Sequence, residues 1–121
     1  MVRRLIAPEM PKLPLPQAVF QILVALADQD RHGYAIMQDV AERTGGALKL
    51  SPGTLYGSIK RMLEEGLIVE IDERPGPDED DERRRYYRIT RAGRDIAQAE
   101  ADRLTVLLRQ ARAVGLAPKR A

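Results

Sequence analysis

The stretch SPGTLYGSIKRMLEEGLIVEID, Ser51 to Asp72, changes its apolar period without a break. Leu55, Ile59, Met62 and Leu63 recur at i, i+4, i+7 and i+8, the single stripe of an amphipathic helix. Beyond Gly66 the period drops to two, with Leu67, Val69 and Ile71 alternating against Glu70 and Asp72 as in a half-buried strand. Ser51 is a good N-cap, Pro52 suits the first helical position, and Gly66 marks the end. A helix that runs straight into a strand must turn its stripe toward a core shared with that strand. Its other face, Gly53, Thr54, Gly57, Lys60, Arg61 and Glu64, then points away. Two glycines on an outward helical face each forfeit roughly 0.5–1 kcal/mol relative to alanine. Solvation alone does not call for them, whereas close approach by another molecule does.

The flanking segments complete an ordered set of elements. QAVFQILVALA, Gln17 to Ala27, carries enough apolar residues for a helix buried on most of its circumference. DQDRHG breaks it, and a second helix follows over Tyr34 to Arg43, with Ile36, Met37 and Val40 inward and a left-handed glycine expected at Gly45 or Gly46. PGPDEDDE reads as a loop, and RRRYYRI returns as a strand, making an antiparallel hairpin with a long polar tip. One of Tyr86 and Tyr87 belongs to the core, and the pattern does not choose between them. Thr90 caps a last helix that runs to about Val114 and ends at Gly115 and Pro118. That helix is on the order of 35 Å long, longer than so small a core can cover. Its second half aligns Leu104, Leu107, Leu108, Ala111 and Val114, a stripe for which a second copy of the chain is the simplest partner.

The predicted fold class is mainly α with a small β-hairpin: a winged helix-turn-helix with a long C-terminal helix. Residues 1–16, with Pro8, Pro11, Pro14 and Pro16, form an extended arm. Residues 17–90 form the winged helix-turn-helix, 91–115 the dimerisation helix and 116–121 a tail. Arg3 and Arg4 in the arm either reach a groove or phosphate or belong to a frayed terminus.

Composition narrows the functional classes. With 121 residues there is room for one modest core. The chain has no cysteine and a single histidine, His32, so a thiolate metal site, a disulfide framework and a Cys/His nucleophile are excluded and no cofactor or metal is expected. No Ser/His/Asp set or phosphate-binding glycine loop is evident, which argues against an enzyme. No apolar run reaches the length of a membrane span, and the first residues lack a signal-peptide core, so the expected location is the cytoplasm. The net charge of +2 says little about partners. Residues 51–90 hold seven Lys/Arg against ten Asp/Glu, whereas residues 91–121 hold seven against three.

HGYAIMQDV (His32–Val40), LSPGTLYGSIKRMLEEGLI (Leu50–Ile68) and RRRYYRITRAG (Arg83–Gly93) resemble, in order and spacing, the three characteristic segments of PadR-like transcriptional regulators. The resemblance covers roughly Gln17 to Gly93, and the single long helix after it is similar to the compact branch of that family. It implies a homodimeric repressor that leaves its operator when a small molecule or stress signal is sensed.

Under that reading the third helix enters the major groove of double-stranded DNA. Ser51 and Thr54 add hydroxyls to a helix start that favours phosphate. Gly53 and Gly57 let the helix axis come close. The hydroxyl of Tyr56 reaches a phosphate, or its ring packs under the wing; Lys60 and Arg61 contact a base edge or the backbone, or only solubilise the helix. As the HGY of the resemblance, His32 fixes the turn between helices. The acidic residues Asp78, Glu79, Asp80, Asp81 and Glu82 must point away from phosphate. Arg83, Arg84 and Arg85, at the base of the returning strand, pair with DNA or with that tip. An apolar effector between crossed C-terminal helices is one expectation for sensing, and a fully packed stripe that senses nothing is the other. A protein-interaction module is the competing function, favoured by the acidic central segment.

Overall fold

The computed structural model describes residues 12–71 and 85–117. The N-terminal arm before residue 12, Arg3 and Arg4 with it, the acidic tip, Arg83, Arg84 and the tail from residue 118 lie outside the described residues.

Four helices and three short strands follow in the order α1 (Gln17–Asp28), β1 (Arg31–His32), α2 (Gly33–Arg43), α3 (Pro52–Glu64), β2 (Ile68–Ile71), β3 (Tyr86–Ile89) and α4 (Arg91–Ala113). In α1 the residues Val19, Ile22, Leu23 and Leu26 are buried at the i, i+3, i+4, i+7 spacing, and Ile22 and Leu23 are fully enclosed. They pack with Ile36 and Val40 of α2, Leu55, Ile59 and Met62 of α3, and Leu67, Ile68, Tyr87 and Ile89 from the sheet side. Leu63, at the edge of the α3 stripe, is half-buried against this cluster. Leu15, at the end of the segment read as an extended arm, is buried as well.

Local chemistry sets the boundaries. His32 caps α2, its Nδ1 accepting from the Ala35 N–H at 3.1 Å. Thr44 closes that helix by donating its hydroxyl to the Val40 carbonyl at 2.9 Å, and both Gly45 and Gly46 take left-handed backbone with φ of 63° and 85°. Ser51 accepts from the Thr54 N–H at 3.1 Å ahead of Pro52, so α3 starts where a side-chain cap and a proline both favour it. Thr90 does the same for α4, accepting from the Gly93 N–H at 3.0 Å, and also donates to the Gly66 carbonyl at 2.7 Å. One side chain thus joins the end of α3 to the start of α4.

The sheet departs from the predicted hairpin. Its order is β1-β3-β2, all antiparallel, with Arg31 opposite Tyr87 and His32 opposite Tyr86 on one edge and Ile68 opposite Ile89 through Ile71 opposite Tyr86 on the other. The segment read only as a helix break therefore supplies a third strand, too short at two residues to show a period. The phase of β2 differs too. Leu67 and Ile68 are both buried and Val69, read as inward, is 42% exposed. Leu67 belongs to the turn closing α3, its N–H bonded to the Met62 carbonyl at 2.9 Å, and β2 itself does not alternate: Ile68 is buried, Val69 and Glu70 are both exposed, and Ile71 is half-buried. Tyr87 is the core tyrosine. Tyr86 is half-buried and meets His32 edge to face, with ring centroids 5.3 Å apart.

Candidate nucleic-acid interface

The outward face of α3 is built by burial of its opposite side. Leu55, Ile59 and Met62 lock the helix rotation, which leaves Ser51, Gly53, Thr54, Tyr56, Gly57, Lys60 and Arg61 exposed. At its start the Ser51 hydroxyl faces the Thr54 hydroxyl at 3.2 Å while accepting the Thr54 N–H, so the cap residues are already engaged with one another. A Cβ built on Gly57 would meet nothing within 4 Å, and one on Gly53 would meet only the Ser51 hydroxyl oxygen at 4.0 Å. Among the described residues no packing asks for either glycine. Lys60 and Arg61 have no ion-pair partner among the described residues.

Other cations are committed elsewhere. Arg31 reaches Asp28 at 2.9 Å and Asp39 at 3.3 Å, and Arg43 pairs with Asp39 at 2.6 Å, a four-residue cluster that ties α1, β1 and α2 together. Arg88 grips Asp30 with a 2.8 Å bond. Arg85, the member of the arginine run that is described, lies 3.6 Å from Glu70 across the wing, with both side chains about half exposed. Such a contact is screened by solvent and holds the wing weakly.

Tyr56 lies on the exposed side of α3. It is half exposed, so it does not pack under the wing. Its ring lies instead over the first residue of α2, where a Cβ on Gly33 would overlap the tyrosine hydroxyl and come within 2.8 Å of Cζ. Neighbouring Tyr34 is 60% exposed on the same turn. Sequence reasoning missed the Gly33–Tyr56 contact because it pairs residues 23 positions apart, and neither carries a periodic signal.

On the far side of the fold, the predicted stripe of α4 is uncovered. Leu104, Leu107 and Leu108 are each 40% exposed or more, Val114 is 70% exposed, and Ala111 is half-buried. Toward the start of α4 this face continues into a cleft of about 260 Å³ lined by Phe20, Val24 and Ala27 of α1 and Ala97 and Ala101 of α4. One turn before Leu104 stands Glu100, a buried carboxylate that accepts from Arg103 Nε at 2.8 Å and Nη2 at 2.9 Å and from the backbone of Leu15. The Arg103 hydrogen bond, ahead of the opposing effect of burial, holds its carboxyl below the usual carboxylate range. Its position on the leucine stripe, at i−4 from Leu104 and i−7 from Leu107, was the signal that could have revealed it.

Among the described residues no group of three His, Cys, Asp or Glu side chains could hold a metal, and no helix is long and apolar enough to cross a membrane.

A three-helix core with a capped third helix turned outward, followed by an antiparallel wing, defines a winged helix-turn-helix protein. The model of the PadR-like family of transcriptional regulators matches residues 22–99, more than half of the chain. The chain belongs to this family, whose members are regulators of transcription and not enzymes. A protein from Lysinibacillus sphaericus is 36% identical over 73 residues, 60% of this chain and 64% of that one. The chain spans 21% and 64% of the lengths of the two curated relatives it matches. Among solved structures, a PadR family transcription regulator from Clostridium difficile is 25% identical with a TM-score of 0.69, covering 82% of this chain and 98% of that one. Bacillus subtilis PadR, solved in complex with operator DNA, shares the fold at 20% identity and a TM-score of 0.60, over 69% of this chain and 47% of that one.

Proposed function

We propose that this chain is a sequence-specific DNA-binding repressor that acts as a cytoplasmic homodimer on an inverted-repeat operator. The observation that carries the reading is the outward face of α3: among the described residues nothing packs against its two glycines and nothing pairs with its two cations. A duplex supplies what both lack, a surface that comes close to the helix axis and phosphates that pair with Lys60 and Arg61. Ser51, Gly53, Thr54, Tyr56 and Gly57 form the approach surface, with Arg83, Arg84 and Arg85 contributing from the wing. Leu104, Leu107, Leu108, Ala111 and Val114 join two subunits, so that the two α3 helices read half-sites about 34–36 Å apart. The cleft between α1 and α4 adjoins that interface and is a place where an apolar effector can act on the dimer.

The test is selection of bound duplexes from a random pool, followed by the K60A/R61A double variant. The wild type should enrich an inverted repeat, and the variant should stay folded and dimeric while losing specific affinity. Retained affinity in the variant refutes the assignment of α3. A protein-interaction module is the second reading, supported by the acidic excess of residues 51–90. Failure of the wild type to enrich any duplex would favour it.

A further inference from the structure

We propose that Gly33 is a positioning residue for DNA binding: its missing side chain makes the seat in which the Tyr56 ring lies, and so fixes where α3 presents the Tyr56 hydroxyl. This rests on the reading of α3 as the DNA-contacting helix.

Gly33 is the first residue of α2 and is buried, and its φ is not in the left-handed region. Backbone conformation therefore does not ask for glycine here. What asks for it is space. The three atoms nearest to a Cβ at this position are Oη, Cζ and Cε1 of Tyr56, with the latter two at 2.8 Å and 3.0 Å. Real Cβ atoms do not approach so closely, so an alanine would drive the ring off its seat. The backbone of α2 would be left as it is, since only the far end of one side chain must move.

The contact joins the two helices of the helix-turn-helix at their outer surface. His32 holds the start of α2 by accepting from Ala35, and Ser51 holds the start of α3 by accepting from Thr54. Tyr56, one turn further along α3, leans across to the α2 start. Its hydroxyl has no hydrogen-bond partner among the described residues, and the side chain is 48% exposed. A phenol held rigidly by its ring, with its hydroxyl uncommitted, loses little freedom on meeting a phosphate. Displaced from Gly33, the same phenol samples several rotamers and the benefit is lost.

The experiment is a double-mutant cycle on the full chain: G33A, Y56A and G33A/Y56A, with Y56F as a fourth variant. Affinity is measured against a duplex selected by the wild type, at fixed salt, together with thermal melts. G33A should weaken binding several-fold, to about the level of Y56F, while melting cooperatively. Y56F keeps the ring and should lose only a several-fold share, with an unchanged melt. G33A/Y56A should bind no worse than Y56A and melt no lower than Y56A, because without the ring a methyl group at position 33 displaces nothing. Binding by G33A within about twofold of wild type overturns the proposal, as do losses that multiply in the double variant. If the wild type selects no duplex, the DNA-binding reading itself fails; if it selects one that G33A binds equally well, this inference alone fails.

Discussion

Gly57 offers the sharpest separation of stability from function. In a helix interior glycine is less favourable than alanine by roughly 0.5–1 kcal/mol, and a Cβ at position 57 would enter open space. Gly57→Ala should therefore stabilise the fold by about that amount, raising the melting temperature by roughly 2–5 °C for a chain of this size. On DNA the sign reverses. If the helix axis approaches a groove wall or sugar edge at van der Waals distance, the added methyl overfills the contact at a cost of about 1–3 kcal/mol, a loss of affinity of roughly five- to 150-fold. The assay pairs circular-dichroism melts with fluorescence anisotropy on a selected duplex, at one salt and one protein concentration so that subunit association is held constant. A variant that is more stable and binds as tightly as wild type would refute the claim that this glycine admits DNA. A variant that is less stable would refute the claim that the position is empty within the subunit.

Three further outcomes follow from the same structure. Leu107→Asp should leave the subunit folded, since the side chain is already 46% exposed, but should raise the dimer dissociation constant at least about thirtyfold, the cost of a central interface residue of roughly 2 kcal/mol or more; an unaltered dimer in sedimentation velocity contradicts the assigned stripe. Glu100 has a folded-state pKa below its ordinary value, so its contribution is present above the ordinary carboxylate range and is lost as pH falls through the lowered folded value. Glu100→Gln should accordingly melt lower than wild type at pH 7 and show a shallower decline on acidification below about pH 4; parallel pH profiles for the two proteins would show that the Arg103 and Leu15 contacts contribute nothing. If the dimer neutralises about six phosphates, log affinity should fall against log salt with a slope near −5, and a flat salt dependence would point to a protein partner.

Features carried by a repeating pattern were legible in the sequence. The α3 stripe, the Ser51 and Thr90 caps and the uncovered leucines of α4 each follow from periodicity or from a residue type at a helix start, and the structure places them as read. Features that depend on one long-range contact were not. β1 exists because Tyr86 and Tyr87 offer a strand edge to Arg31 and His32, and nothing in DQDRHG announces it. Val69 is exposed because Leu67 closes the turn after α3 and the short β2 does not alternate, with Val69 and Glu70 both open to solvent. Glu100 carries no apolar signal of its own, and its burial depends on Arg103 and on the backbone of Leu15, 85 positions earlier in the chain. The Tyr56 ring lies not under the wing but over a seat defined by a glycine in another helix.

The hydroxyl of Thr90 deserves a mechanical reading. Because it caps α4 while holding the Gly66 carbonyl, and because its own N–H bonds the Leu67 carbonyl at 3.0 Å, the tail end of α3, the wing root and the head of α4 are riveted into one lever. A tilt of about 5° in α4, pivoting some 20 Å from the leucines, swings its far end by about 2 Å. In a pair of such subunits any molecule that wedges or clamps the leucines would be felt at the other end as a change in the spacing of two reading heads.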